Sequence, residues 1–413
     1  MNRQRLAYLA LATFLLLAYP GNLLASSSPL MDNLRINGFL SQGYINSSGN
    51  NYYGDTKDGT FQLNEVGLTL NSQVNEKLKV GLQFLSRDVG KTGNNTVRLD
   101  WAFADYHFDD KLGIRMGKVK MPMGLYNEGR DSDFLRPMAF LPQSIYDEVR
   151  RDLLVANQGV SIYGNLPAWF LGDIDYQAFA GENNFPEDSP LLLGLKQSAQ
   201  QTITANSLVY GTVISMTADN KYIFGGSLIL NTKIDGLRIG ASYFRGKADL
   251  YITTATGPNQ FVPQGELEMV HRFVYSLEYV KKKFTFATEY SESYRKQQIF
   301  GYKIYDAPSQ EYYAMLTYSL TSKLSATALA DFYYDNMNDR GGEALPPTRP
   351  KFMGWQKDYG FGMRYDVNPN WALKAEYHEV DGAGLFTSIF NPPSPSVLVK
   401  DWNYYIVKAS FNF

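Results

Sequence analysis

The sequence predicts an all-β fold: a transmembrane antiparallel β-barrel of about 16 strands with one loop folded inward as a constriction. Three observations predict it. Apolar and polar residues alternate with a period of two along most of the chain after Asp32. The connections between the alternating runs are short and long by turns. The last run ends in Phe413. A spanning β-strand shows lipid only every second side chain, so an average composition with 19% charged residues is compatible with it.

Composition narrows the field. A chain of 413 residues could hold two or three soluble domains or one large barrel. The formal net charge of −2 shows no basic excess, which argues against nucleic acid as a partner. The absence of cysteine excludes a disulfide framework and thiolate metal sites. Beyond the first residues, no apolar run approaches the roughly 20 residues that a membrane helix needs.

Residues 1–27 read as a cleaved signal peptide. Arg3 and Arg5 give a positive start, Leu6 to Ala18 is apolar, Pro20 and Gly21 break it, and the small residues Ala25 to Ser28 follow. Residues 28–413 then form the barrel, and an export signal followed by a spanning β-barrel implies the bacterial outer membrane.

The strands follow from alternation. Val97, Leu99, Trp101 and Phe103 fall on one face, with Arg98, Asp100, Ala102, Ala104 and Tyr106 on the other. Leu112, Ile114 and Met116 alternate with Gly113, Arg115 and Gly117, and Leu237, Ile239 and Ala241 with Arg238, Gly240 and Ser242. Tyr359, Phe361, Met363 and Tyr365 alternate with Gly360, Gly362 and Arg364. A soluble sandwich also alternates. Here the polar face carries Gly, Ser and isolated charges, as a water-filled lumen would, and the apolar face ends in aromatics, as an interfacial girdle would. The charges that alternation turns inward are Arg98, Asp100, Arg115, Arg238, Glu289, Arg364, Lys374, Glu376 and Lys408, read as generic pore lining.

The connections fit the same plan. Short turns are expected at Val74–Lys77, Asp109–Lys111, Thr232–Gly236, Lys281–Lys283, Thr321–Lys323 and Asp366–Asn370. Long loops are expected at Asn46–Gly59, Asp88–Asn95, Met121–Leu154, Lys247–Gly265, Gln297–Ser309, Asn336–Gln356 and Asp381–Leu398. Short periplasmic turns and long outer loops are the habit of outer-membrane barrels. A first count gives an odd number of strands. The extra one, Ser207–Met216, is therefore assigned to a long outer excursion over residues 182–221. In the final run, Tyr405, Val407, Ala409, Phe411 and Phe413 face one way and Tyr404, Ile406, Lys408, Ser410 and Asn412 the other. A terminal Phe on the lipid face is similar to the assembly signal read by the barrel-assembly machinery.

Gly117–Gly164 is the most informative stretch, and its middle is too long for an ordinary hairpin loop. It mixes prolines and aromatics with closely matched charges, so it should not extend into solvent. We expect residues 121–154 to fold into the barrel. The candidate constriction residues are Lys118, Lys120, Arg130, Asp131, Asp133, Arg136, Arg150 and Arg151. Two readings stand side by side. Arg130 and Arg136 could face the lumen as cations, with Asp131 and Asp133 setting a transverse field. Alternatively, these charges pair with one another and pin the loop.

Gly117, Lys118, Lys120, Pro122, Gly124, Leu125, Tyr126, Asn127, Arg130, Asp131, Arg136, Pro137, Leu141, Pro142, Gln143, Ser144, Ile145 and Tyr146 together resemble a family of Gram-negative outer-membrane porins, distantly similar to the phosphate-selective porin group. The turn Ile234-Asp235-Gly236-Leu237-Arg238-Ile239-Gly240 resembles the same family. The resemblance implies a barrel in outer-membrane lipid, passive permeation of small solutes or ions, and a homotrimer. The basic ladder of phosphate channels is not visible in this chain.

Other chemistry finds little footing. His107, His271 and His378 sit in different strands without close ligand spacing, so no metal or cofactor is expected. Ser291 and Ser293 have no local His, and an outer-membrane enzyme is the least favoured reading. The leading alternative to a porin is a barrel serving as a sheath for a partner, such as a periplasmic multihaem electron conduit.

Overall fold

The computed structural model describes residues 33–387, 389–392 and 397–413, and the expected signal peptide lies outside them. The strands are β1 (Leu34–Ser47), β2 (Leu63–Gln73), β3 (Leu78–Val89), β4 (Arg98–Asp109), β5 (Leu112–Lys120), β6 (Ala156–Pro167), β7 (Gly172–Glu182), β8 (Thr212–Thr232), β9 (Leu237–Thr256), β10 (Asn259–Phe261), β11 (Gln264–Lys281), β12 (Phe284–Ile299), β13 (Tyr302–Ser319), β14 (Leu324–Tyr334), β15 (Trp355–Asn368), β16 (Trp371–Gly382) and β17 (Asp401–Asn412). Neighbours in sequence pair antiparallel. β1 pairs with both β2 and β17, Leu34 facing Ser72 and Phe39 facing Asn412, so the sheet closes on itself. Closure leaves no unpaired edge. β10 is a three-residue extension of the β9 arm, which leaves 16 strands in the barrel wall. That is the strand number the alternation predicts.

The two rims differ as expected. β2–β3, β4–β5, β11–β12 and β15–β16 are joined by tight turns of two to four residues at the rim that also holds both described chain ends. A further tight turn, Ala168–Leu171, joins β6 to β7 with Trp169 and Phe170 exposed at its tip. The opposite rim carries the long connections.

Two expected loops are strand instead. Lys247–Gly265 and Gln297–Ser309 lie almost wholly in the arms of β9–β11 and β12–β13, which run on past the rim. β8 is 21 residues long and β9 is 20, against roughly 9–11 needed to span a bilayer. The β12–β13 arm ends in a two-residue turn with Phe300 at φ 53° and Gly301 at φ 78°, the left-handed pair a tight hairpin requires. The stretch Thr212–Met216, expected inside the outer excursion, is the start of β8.

Two helices interrupt the sheet, α1 (Arg151–Leu154), a single turn, and α2 (Pro190–Ala205). Ser189 caps α2 by accepting from the Leu192 amide at 3.3 Å, and Pro190 takes the first helical position, where a missing N–H costs nothing. Leu192, Leu195, Ala199 and Ile203 recur at helical spacing and pack on Val213, Met216, Leu250 and Ile252 of the extended arms. Alternation does not register this helix, because it sits between two strands in what reads as loop.

The apolar side chains divide into two populations. Leu40, Leu68, Leu228, Ile239, Phe361, Leu373 and Val407 are exposed on the outer face, as lipid contact demands. The packed apolar clusters lie inside the barrel, between the strands and the long β5–β6 connection. In β4 the phase changes part-way. The pairing shifts between Gln83 and Phe84, so that Leu99 and Trp101 oppose consecutive residues of β3 and Asp100 is the extra one. A bulge of this kind adds one residue and reverses the faces beyond it. Trp101 therefore points inward, its Nε1 donating to Asp131 at 3.4 Å, with Phe103 stacked beside it, whereas Tyr106 is exposed. Strict alternation puts Trp101 and Phe103 on the face opposite Asp100, and the bulge overturns that placement.

Candidate functional site in the barrel lumen

The β5–β6 connection, residues 121–154, leaves β5 at a glycine the geometry requires. Gly124 has φ +60°, and a Cβ there would stand 2.5 Å from the Tyr146 hydroxyl and 2.6 Å from a Glu289 carboxylate oxygen. Glu289 of β12 organises this end. It accepts from Tyr146 Oη at 2.5 Å, Tyr313 Oη at 2.9 Å, Ser276 Oγ at 2.5 Å and the Leu125 amide at 2.9 Å. Met121, Met123, Met138, Leu141, Ile145 and Leu154 pack against Phe179, Ile223, Phe244, Val274 and Met315 of the wall.

Charges hold the rest of the segment. Asp133 is fully buried, 2.8 Å from Lys408 Nζ, 3.1 Å from Lys374 Nζ and 3.2 Å from Arg136, and it also accepts from the Ser410 hydroxyl. Glu65 of β2 completes the cluster, 2.6 Å from Arg136 and 2.8 Å from Lys408. Burial pushes Asp133 up, but Lys374, Lys408 and Arg136 outweigh it and hold the carboxyl well below its usual range. A second cluster centres on Glu148, 2.5 Å from Arg87 of β3 and 3.1 Å from Arg130. Burial raises its pKa and the surrounding guanidiniums lower it further, to a net value below the ordinary carboxylate range. Arg130 also donates to the Tyr146 carbonyl at 2.6 Å. Arg151 makes a two-pronged contact with Asp100 at 2.9 and 3.0 Å. Lys120 and Gln83 meet Asp131 at 2.7 and 2.6 Å, and Arg150 meets Asp147 at 2.6 Å. Lys118 donates to the Leu99 carbonyl at 2.6 Å.

The structure thus brings the segment's charges into pairs, with Arg130 only 2% exposed. Of the two readings from sequence, geometry favours pinning over a free transverse field. The wall residues divide likewise. Arg364 donates to the carbonyls of Phe134 and Arg136, at 2.5 and 3.1 Å, and Glu376 accepts from the Ala139 amide at 3.2 Å. Asp100, Glu289, Lys374 and Lys408 bind the segment as described. Three others lie outside the two buried clusters. Arg98 meets Asp188 at 2.6 Å and Asp152 of the segment at 3.5 Å, Arg115 meets Asp105 at 3.2 Å and Glu128 of the segment at 3.7 Å, and Arg238 meets Glu278 at 2.8 Å.

Sequence reasoning missed Glu65, Arg87 and Arg272. Glu65 stands beside Val66 with a polar residue on its other side, so the signal for it is an isolated carboxylate in an alternating run. Arg272 follows a pairing irregularity between Met269 and Arg272 that blurs the period.

No family model matches the chain, and no curated protein is detectably similar to it in sequence. Solved structures are similar in shape. The chain superposes on the outer-membrane expressed OmpT of Vibrio cholerae with a TM-score of 0.54 at 12% identity, over 95% of this chain and 100% of that one. It superposes on an anion-selective porin from Comamonas acidovorans with a TM-score of 0.52 at 10% identity, over 92% and 99%. The fold is the porin fold. The outer membrane channel DcaP of Acinetobacter baumannii is similar too, with a TM-score of 0.51 at 10% identity over 92% and 97%. At such identities the porin fold is what is shared.

Proposed function

We propose that this chain is a passive outer-membrane channel for small hydrophilic solutes or ions, exported with a cleaved signal peptide, assembled as a homotrimer, and not a catalyst. The observation that carries the reading is the β5–β6 segment bonded to inward-facing residues of β2, β4, β12, β16 and β17, which supports a role for it in narrowing the 16-stranded barrel. A barrel of this strand number encloses an aqueous channel unless something narrows it. A sheath for a partner protein needs a wide lumen, which the segment narrows. Phe413, more than half exposed beside Phe411, serves as the assembly signal at the lipid face.

The test is single-channel recording of the purified, heat-modifiable protein in a planar bilayer. Discrete open steps are expected, and deletion of residues 127–144 raises the unit conductance. A folded barrel with no conductance rejects the channel. An unchanged conductance after the deletion rejects the constriction.

A further inference from the structure

The cavity beside α1, about 150 Å³ in volume, differs from the rest of the lumen. The segment's own arginines each meet a carboxylate. Arg272 of β11, which lines this cavity, forms no ion pair among the described residues, although it is only 6% exposed. Its Nε donates to Ser291 Oγ at 3.1 Å, and one terminal nitrogen donates to the Ile145 carbonyl at 3.2 Å. The other terminal nitrogen has no such partner. The buried Glu311 lies nearby but beyond ion-pair distance, and it accepts from Ser309 and Ser293. A buried guanidinium with no anion in contact is costly, and a bound anion would relieve that cost. Arg150 and Arg295 line the same cavity, and its single lining carboxylate, Glu268, faces Arg245 at 3.6 Å. The remaining wall is mostly apolar, Leu154, Ile223 and Phe244 among it, with Lys247 as a further cation and Asn183, Asn220, Gln297 and Tyr305 as neutral polar members.

We infer that this cavity is a binding site for a monocarboxylate with a ring-sized apolar body, the carboxylate on Arg272 and the body against Leu154, Ile223 and Phe244. The inference rests on the channel reading and names the solute class for it. Three features argue for this class. A guanidinium presents a fork that matches a carboxylate. An apolar cavity of about 150 Å³ holds one benzene-sized ring. Arg150 and Leu191 also line a larger space of about 510 Å³ under α2 at the outer mouth, which makes the cavity its immediate neighbour on the outer side.

The probe is benzoate, with benzamide as its neutral isostere and inorganic phosphate as the compact anion. Each is titrated by calorimetry into the detergent-folded barrel, whose conductance is recorded in parallel. Benzoate is expected to bind one site saturably, at least tenfold tighter than benzamide or phosphate. Arg272→Gln should weaken benzoate at least tenfold, with Arg272→Lys recovering part of the loss. Arg150→Gln, nearer the mouth, provides a second variant should β11 not tolerate the first, and it should weaken benzoate severalfold. An open pore that shows no benzoate preference overturns this inference and leaves the channel standing. Saturable benzoate binding to a non-conducting barrel overturns the channel and leaves the site. Equal affinity for benzoate and phosphate overturns the apolar wall's role.

Discussion

Asp133→Asn is the substitution that most directly tests what holds the segment in place. In the native cluster Asp133 and Glu65 face three cations, Arg136, Lys374 and Lys408, at 2.6 to 3.2 Å. The amide keeps the shape and some hydrogen bonding but no charge, which leaves three buried cations to Glu65 alone. Stranding buried charges costs about 3–5 kcal/mol, and the retained hydrogen bonds place this variant at the lower end. About 3 kcal/mol shifts the docked-to-undocked ratio of the segment on the order of a hundredfold. In single-channel records the variant is expected to show excursions to a larger conductance, together with a lower temperature for the heat-modifiable shift. Adding Lys374→Met restores the native excess of one positive charge and should recover part of both. A variant indistinguishable from the parent in conductance, noise and unfolding temperature would refute the claim that this cluster pins the segment.

Two further outcomes follow from the pairing. Arg130→Gln removes a charged hydrogen bond to Glu148 while Arg87 remains, and should lower stability by about 2–3 kcal/mol in denaturant titration. Because Arg130 is paired, its reversal potential under a salt gradient should stay put, and a clear move toward cation preference would place it in the conduction path after all. Acid is the other perturbation. Asp133 and Glu148 have depressed pKa values, so their contribution is fully present above the ordinary carboxylate range and is lost only as pH falls through their lower folded values. Conductance and unfolding temperature should therefore hold from pH 7 to about pH 4. Asp147 behaves oppositely. Burial raises it, so it takes up a proton above the usual range; this frees Arg150 locally but relieves a buried charge, so the fold loses no stability by it. Release of the segment near pH 5 would contradict this order.

Much of the architecture was legible because a barrel writes its faces into every second residue. The last strand shows this plainly: Tyr404, Ile406 and Lys408 are buried and Tyr405 and Val407 are exposed, as alternation required. What escaped has physical causes. One extra residue at Asp100 turned Trp101 inward, and a bulge leaves no mark in composition. The arms of β9 and β12 run past the bilayer, where polar and charged residues on both faces look like loop. The site was half legible. The charges of the segment could be named, but their partners Glu65, Arg87 and Asp100 lie in strands far away along the chain, and pairing across the lumen is a property of closure.

Closure itself carries a consequence for assembly. Glu65 lies on β2, Lys374 on β16 and Lys408 on β17, so the cluster around Asp133 straddles the seam where β1 meets β17. The inward segment is thus held to strands on both sides of that seam. Until β17 is laid down, Asp133 lacks Lys408 and Ser410, and the segment cannot settle. Once it is, the same contacts draw the two ends of the sheet together. Sealing the wall and seating the segment are thereby coupled, and a chain stalled before its final strand would be both open at the side and unconstricted in the middle.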